Sequence, residues 1–226
     1  MKLSKRLQAI ADLIKKYKQG ERLADIGTDH AYLPCYLVSE GIIEKAYACD
    51  IASGPIHASI ETIQSNHLEE KVIPLLGSGM NPILDKEVDM ISICGMGGKL
   101  TVEILDEHKE LLDHLFILQS NVGLDILREY LFQQNIKIID EDIVEDAHHI
   151  YEIIVCKKAC QELDYTLEDI YFGPCLRKKK NKLFYKKWQR QLQIYQNIIV
   201  SLEKSHSRYQ EVKKLIGMIE GEINES

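Results

Sequence analysis

The 226-residue sequence carries one tryptophan, four phenylalanines and five prolines, and no run of apolar residues approaching a membrane span. A bilayer crossing needs about 20 consecutive apolar residues, so no membrane association is expected, and no signal peptide is visible. None of the six cysteines (35, 49, 94, 156, 160 and 175) forms a C-x-x-C pair, and no Cys/His cluster has zinc-finger spacing. A metal is therefore not expected. Cys35, Cys49, Cys94 and Cys156 lie in apolar segments and read as reduced core thiols of a cytoplasmic protein. The fingerprint G-x-G-x-x-G is also missing, which counts against a nicotinamide-dependent dehydrogenase.

Net charge is −7, unevenly spread. Residues 1–160 hold 16 basic and 26 acidic side chains; residues 161–226 hold 12 and 9. Within 175–215 the count is 12 basic against 2 acidic. Arg177, Lys178, Lys179, Lys180, Lys182, Lys186, Lys187 and Arg190 form a run without an acid. Such a run points to a polyanion held through its phosphates.

The stretch Leu23–Pro34 organises what remains. It starts apolar, as a buried strand does, and turns polar at Asp25. Gly27 stands where the backbone must turn sharply or approach a ligand, and Thr28, Asp29 and His30 follow before a helix expected over 31–40. A strand, a glycine turn and a helix N-terminus make a nucleotide-type site. Asp25 and Asp29 put negative charge where a pyrophosphate would need donors, so a cationic ligand such as S-adenosylmethionine fits better. Asp50 ends the next strand, 25 residues beyond Asp25, near the spacing at which a βαβ unit places the acid for a ribose diol.

Strands expected over 22–25, 45–51, 71–76, 87–94, 116–119, 136–144 and 151–157 alternate with helices up to residue 135, and the last two read as a hairpin joined through 145–149. The fold class is α/β: a seven-stranded, mostly parallel sheet with helices on both faces. Ligands on such sheets bind at the carboxyl ends of the strands. Asp25–His30, Asp50–Gly54, Gly77–Met80, Cys94–Gly98 and Gln119–Asn121 all fall there. The N-terminal stretch 1–17, with Leu3, Leu7, Ile10 and Ile14 at helical spacing, reads as an amphipathic helix packed on the sheet domain. Beyond a linker over 158–172 and a break at Phe172-Gly173-Pro174, no strand signal appears. Trp188, Leu192, Tyr195, Ile199, Leu202, His206 and Tyr209 form a heptad-like seam, either one long helix or a pair folded at 205–207. The expected division is a cofactor domain over 1–160 and a smaller, basic, all-helical coiled-coil-like domain over 161–226.

With the motifs in place, the chain resembles the bacterial tRNA adenine-22 N1-methyltransferases of the TrmK type. The resemblance runs through residues 24–34, Asp50 with Gly54-Pro55, Gly77, Gly79, Gly95-Met96-Gly97-Gly98, Gln119 with Asn121, Tyr151-Glu152-Ile153 and Phe172-Gly173-Pro174. Two positions depart from the family pattern: Ser78 stands in place of an Asp, and Ser120 in place of a Pro. The resemblance implies a class I (Rossmann-like) methyltransferase fold, S-adenosylmethionine as cofactor, tRNA as partner, and methylation of N1 of adenine 22 in the D-arm region.

The loops divide accordingly. Asp25, Gly27, Thr28, Asp29, His30, Asp50, Ile51, Gly77, Ser78, Gly79, Met80, Cys94, Gly95 and Met96 are candidate cofactor contacts. His30, Tyr32 and Asn121 are candidates at the reacting base, His30 as base or positioning donor and Tyr32 either facing the pocket or packing under the helix. Gly97, Gly98, Gln119, Asn121, Arg177, Lys178, Lys179, Lys180, Lys186, Lys187 and Arg190 are candidate RNA contacts. A monomer is expected. The rival readings are a methyltransferase of small molecules or proteins, which leaves the basic run unexplained, and a non-enzymatic RNA-binding protein on the same fold.

Overall fold

The computed structural model describes residues 1–224. The chain opens on α1 (Lys5–Tyr17), capped by the Ser4 hydroxyl, which accepts from the Leu7 amide. Its apolar stripe of Ile10, Ala11, Leu13 and Ile14 is buried against the sheet, as its spacing predicts. Then come β1 (Arg22–Ile26), α2 (Tyr32–Ser39), β2 (Lys45–Asp50), α3 (Ser53–Ser65), β3 (Val72–Leu76), β4 (Met90–Gly97), α4 (Gly98–Glu107), β5 (Leu115–Val122), α5 (Leu124–Gln133), β6 (Ile136–Asp146) and β7 (His149–Lys158). The C-terminal part is helical: α6 (Leu167–Phe172), α7 (Leu176–Lys179), α8 (Lys182–Ser201) and α9 (Ser207–Asn224).

The seven strands form one sheet in the order β3-β2-β1-β4-β5-β7-β6. All neighbours run parallel except β7, which is antiparallel to both β5 and β6. The chain winds outward from β1 to β3 and then returns to the other side of β1, so a crevice opens between the ends of β1 and β4. One apolar layer packs α1 and α2 on one face and another packs α4 and α5 on the opposite face. All six cysteines are free thiols.

Two local expectations shift. β4 runs through Gly97 rather than ending at Cys94, with a bulge around Met96 against β5. The β6–β7 connection is a turn centred on Ala147 and His148, both at positive φ, instead of a five-residue loop. Such a pair of left-handed residues matches the twist of flanking strands. Of the two arrangements left open for the helical part, the folded pair is the one adopted: α8 ends at Ser201 and α9 begins at Ser207, and the two lie side by side. Residues 225 and 226 of the expected helical domain lie outside the described residues.

A buried ionic cluster joins the two parts. Arg128 on α5 is entirely buried. Its Nε and Nη2 donate to Glu141 Oε1 at 2.9 and 2.7 Å, and Nη2 also to Glu152 Oε2 at 2.7 Å. Glu141 Oε2 accepts from the Cys175 and Leu176 amides at 2.8 and 3.2 Å. Lys187 Nζ donates to Glu152 Oε1 at 2.5 Å. Against the pull of burial, Lys187 and Arg128 hold the Glu152 carboxyl below its ordinary range. Gly173 closes over this cluster at φ +88°; a Cβ there would stand 2.6 Å from both Glu141 carboxylate oxygens and 2.7 Å from Arg128 Nη2. The glycine read in the sequence as a chain break is thus the lid of a salt bridge.

Removing one partner of a buried pair leaves uncompensated charge, at about 3–5 kcal/mol. Arg128→Met is expected to lower unfolding free energy by that amount in urea titration, and Gly173→Ala to lower it as well. A loss below about 1 kcal/mol for Arg128→Met would show that the cluster carries little.

Candidate active site

The glycine turn after β1 is built from left-handed residues: Gly27, Asp29 and Ala31 all have positive φ. The Gly27 and Thr28 amides donate to the Cys49 carbonyl, at 2.8 and 3.0 Å. This winds the loop over the end of β2 and delays α2 to Tyr32. At Gly27 (φ +74°) a Cβ would meet the Met96 methyl at 2.1 Å, so the absent side chain is what lets Met96 cross the turn.

Beside the ends of β1, β2, β4 and β5 lies a cavity of about 770 Å³. Asp25, Gly27, Thr28, Asp29, His30, Tyr32, Asp50, Cys94, Gly95, Met96 and Asn121 all line it. A smaller space of about 120 Å³ adjoins, lined by Ile26, Ile51, Gly77, Ser78, Gly79, Leu100 and Ile104. Gly27, Asp50 and Met96 border both. One apolar chamber thus sits beside a larger acidic one, with a carboxylate at the junction.

The electrostatics follow from burial. Asp25 is 5% exposed, and burial pushes its pKa up to about 6, although the Ser92 hydroxyl donates to Oδ1 at 2.6 Å. Asp50, at the tip of β2, accepts the Ala52 amide on Oδ1 at 2.9 Å. The His30 and Tyr32 rings stack with centroids 5.1 Å apart and planes 12° apart. Tyr32 is 44% exposed, so it faces the cavity rather than packing under the helix.

The far wall is a relay of amides. Arg6 Nη1 donates to Gln119 Oε1 at 2.9 Å, Gln119 Nε2 to Asn121 Oδ1 at 3.1 Å, and Asn121 Nδ2 to the Gly95 carbonyl at 2.8 Å. Arg6 also lies over the Tyr151 ring, 5.2 Å from its centroid, and its backbone amide donates to Asp146 Oδ2 at 3.1 Å. Arg6, Asp146 and Tyr151 line the cavity. Helical periodicity identifies α1 only as a packing helix, and nothing in the local sequence ties Arg6 to residues more than 100 positions away. A lone arginine on the polar face of the first helix was the sole available signal.

Several expected contacts change role. Met80 is entirely buried in the core and lines neither chamber. Gln119 is likewise buried, and its side-chain amide donates to Asn121. Gly98 is buried because a Cβ there would lie 2.0 Å from the Gly123 carbonyl oxygen; it serves the packing of two backbones. Gly97 lies beside Val122 and lines neither chamber. Ser120 is 2% exposed, its hydroxyl 3.3 Å from that of Thr101.

The basic run is also redistributed. Arg177 pairs with Asp169 and Glu222, Lys179 with Asp140, Lys180 with Glu222, Lys186 with Glu145 and Lys187 with Glu152. Expected as phosphate contacts, these five neutralise carboxylates of the chain itself. Lys178, Lys182 and Arg190 are exposed and, among the described residues, have no carboxylate at ion-pair distance. No group of three or more His, Cys, Asp or Glu side chains among the described residues could hold a metal, and no helix is long and apolar enough to cross a membrane.

Residues 23–221 match the family model described as "TrmK: tRNA (adenine(22)-N(1))-methyltransferase". The chain is 35% identical over 221 residues to the tRNA (adenine(22)-N(1))-methyltransferase of Bacillus subtilis, covering 95% of this chain and 92% of that one. A Streptococcus pneumoniae protein solved in complex with S-adenosyl-L-methionine superposes with a TM-score of 0.89 at 32% identity, over 98% of this chain and 100% of the other. Mycoplasma capricolum TrmK, solved with S-adenosylhomocysteine, gives 0.87 at 28% identity over 98% of each.

Asp25 carries a pH signature. Its folded pKa of about 6 exceeds the ordinary 3.8, so the native state binds the proton more tightly than the unfolded chain. Stability from this group is greatest below about pH 4 and falls as pH rises to about 6, by up to about 3 kcal/mol. Asp25→Asn is expected to raise the urea midpoint near pH 8 and to bring no gain near pH 4. Equal gains at both pH values would show that the buried charge is not the cause.

Proposed function

The chain belongs to the TrmK family of tRNA (adenine(22)-N(1))-methyltransferases, and on that premise we propose how its residues carry the reaction. The protein transfers a methyl group from S-adenosylmethionine to N1 of adenine 22 in tRNA. The observation that carries the residue assignment is the convergence of Asp25, Asp50, Met96 and Asn121 on one cavity.

The donor set fits the cofactor. Two strand-end carboxylates and Asp29 give the large chamber a negative lining suited to a sulfonium and an ammonium group, and the small apolar chamber between Ile51, Leu100 and Ile104 suits a purine. When bound, S-adenosylmethionine supplies an electrophilic methyl group. Asp50, with one oxygen held by Ala52, keeps the other for a ribose hydroxyl. Ser78 offers a hydroxyl at the purine edge.

Adenine N1 bears a lone pair at neutral pH and attacks without prior deprotonation. No general base is needed, which suits a site whose only histidine is half-exposed at the rim. Asn121, its amide fixed by Gln119 and Gly95, holds the base edge. His30 and Tyr32 offer a ring face to an everted adenine. The base becomes cationic on methylation, and Asp29 and Asp146 on the cavity wall favour charge there. Catalysis is then largely alignment.

Residues 161–226 grip the tRNA in this reading. Lys178, Lys182 and Arg190 are the phosphate contacts that the internal ion pairs leave available. The enzyme acts as a monomer in the cytoplasm.

The direct test is incubation with a tRNA transcript and cofactor, then mass-spectrometric nucleoside mapping. The expected product is 1-methyladenosine at position 22; methylation elsewhere overturns the reading. Cofactor affinity by calorimetry is expected to weaken as pH falls through about 6 and Asp25 takes its proton. An affinity flat across that range would remove Asp25 from the contact. Joint replacement of Lys178, Lys182 and Arg190 by Gln is expected to weaken tRNA binding with cofactor affinity unchanged. Each lost phosphate contact lowers the salt slope by about 0.7–0.9, and an unaltered slope would place the grip elsewhere.

A further inference from the structure

A second cavity of about 460 Å³ lies where the end of β5 and the start of α5 face the helical hairpin. Its walls include Asp125, Tyr171, Trp188, Gln191 and Tyr195, and it shares Asn121 with the catalytic cavity. Trp188 is 7% exposed and packs edge-on against Phe172, with centroids 4.6 Å apart and planes at 74°. Among the described residues its indole N–H is buried without a hydrogen-bond acceptor. Orphaned buried donors are uncommon in folded proteins, and this one belongs to a residue lining an open, aromatic cleft. Asp125 is half-buried and, among the described residues, forms no ion pair.

We propose that this cleft takes a second unstacked nucleobase of the tRNA, a neighbour of the methylated adenine. The proposal rests on the tRNA-methylating reading above. Extruding the target adenine strips a neighbouring base of a stacking partner, and aromatic side chains replace such a partner with little regard to sequence. Tyr171 and Tyr195 supply the π-faces, with the Trp188 ring, capped by the Lys187 ammonium at 4.8 Å from its centroid, forming part of the wall. The indole N–H is a donor for a ring nitrogen or carbonyl, and Asp125 accepts from an exocyclic amine. The same carboxylate repels a phosphate, so the occupant is a base, with its backbone left to the cations on α8. Asn121, common to both cavities, places the two bases side by side.

Trp188 is the only tryptophan, so its emission reports this cleft alone in the full-length protein. Titration with an unmodified tRNA transcript is expected to change that emission saturably, with the midpoint found by filter binding. A fully paired RNA duplex, held by phosphates only, is expected to leave it unchanged. Tyr195→Leu and Gln191→Ala, both on the wall and outside the cofactor chamber, are expected to raise KM for tRNA, Tyr195→Leu by about tenfold or more, with cofactor affinity unchanged. Trp188→Phe, which keeps a ring and loses the N–H, is expected to raise KM as well.

Methylation of the transcript with Trp188 emission unaltered overturns the second-base site and leaves the reaction assignment standing; loss of both overturns both. An equal emission change with paired duplex, or an unchanged KM in Tyr195→Leu, also overturns it. So does an emission change driven by protein concentration alone, which would assign the cleft to a second copy of the chain.

Discussion

The placement of the helical tail depends on one guanidinium. Arg128 lies where no water reaches it, and a cation there is tolerable only when carboxylates and carbonyls surround it. Glu141 and Glu152 come from the closing hairpin, the Tyr171 carbonyl from α6, and the outer oxygens of the two glutamates capture the start of α7 and Lys187 of α8. Each group satisfies a neighbour that would otherwise be buried unpaired. The cluster thus ties sheet edge, linker and tail together, beside an apolar cluster of Ile143, Phe172, Leu176, Phe184, Trp188 and Ile219. The aromatic cleft over β5 is a product of that docking.

The same logic alters the meaning of the charge asymmetry. An acidic N-terminal part and a basic tail look, as a sequence, like a repelling body and an attracting arm. In the structure much of the complementarity is spent internally. Asp140, Glu145 and Glu152 of the hairpin meet Lys179, Lys186 and Lys187, and Glu222 near the end of α9 meets Arg177 and Lys180. What remains for an external polyanion is a thinner set of cations on α7 and α8, with Lys204, Arg208, Lys213 and Lys214 farther along. Exposed pairs such as Lys186–Glu145 contribute little to stability, whereas those around Glu152 and Glu222 carry buried carboxylates.

The alternation of strands and helices was legible because buried parallel strands read as apolar runs and their polar ends mark a single rim. Asp25, Asp50, Gly79 and Met96 lie at that rim as their positions in the pattern require. The misreadings have a common cause. Glycine, glutamine and methionine at a strand end look alike whether they face a ligand or the interior, and only the third dimension separates Met96 from Met80, or Asn121 from Gln119. Arg6 and Ser92 escaped notice for the converse reason: each gains its role from a partner on another element. Arg128 gives no local signal either: Glu141 lies in an acidic stretch that suggests solvent, and Glu152 is a lone acid in an apolar strand.

Gly98 and Gly123 are packed backbone to backbone, with no room for even a methyl group between them. The turn leading from β4 into α4 follows Cys94, Gly95 and Met96 of the large chamber, and the turn leading from β5 into α5 follows Asn121. That contact sets the two turns directly against one another. A side chain at residue 98 would push these two turns apart, and with them the strand ends that line the large chamber.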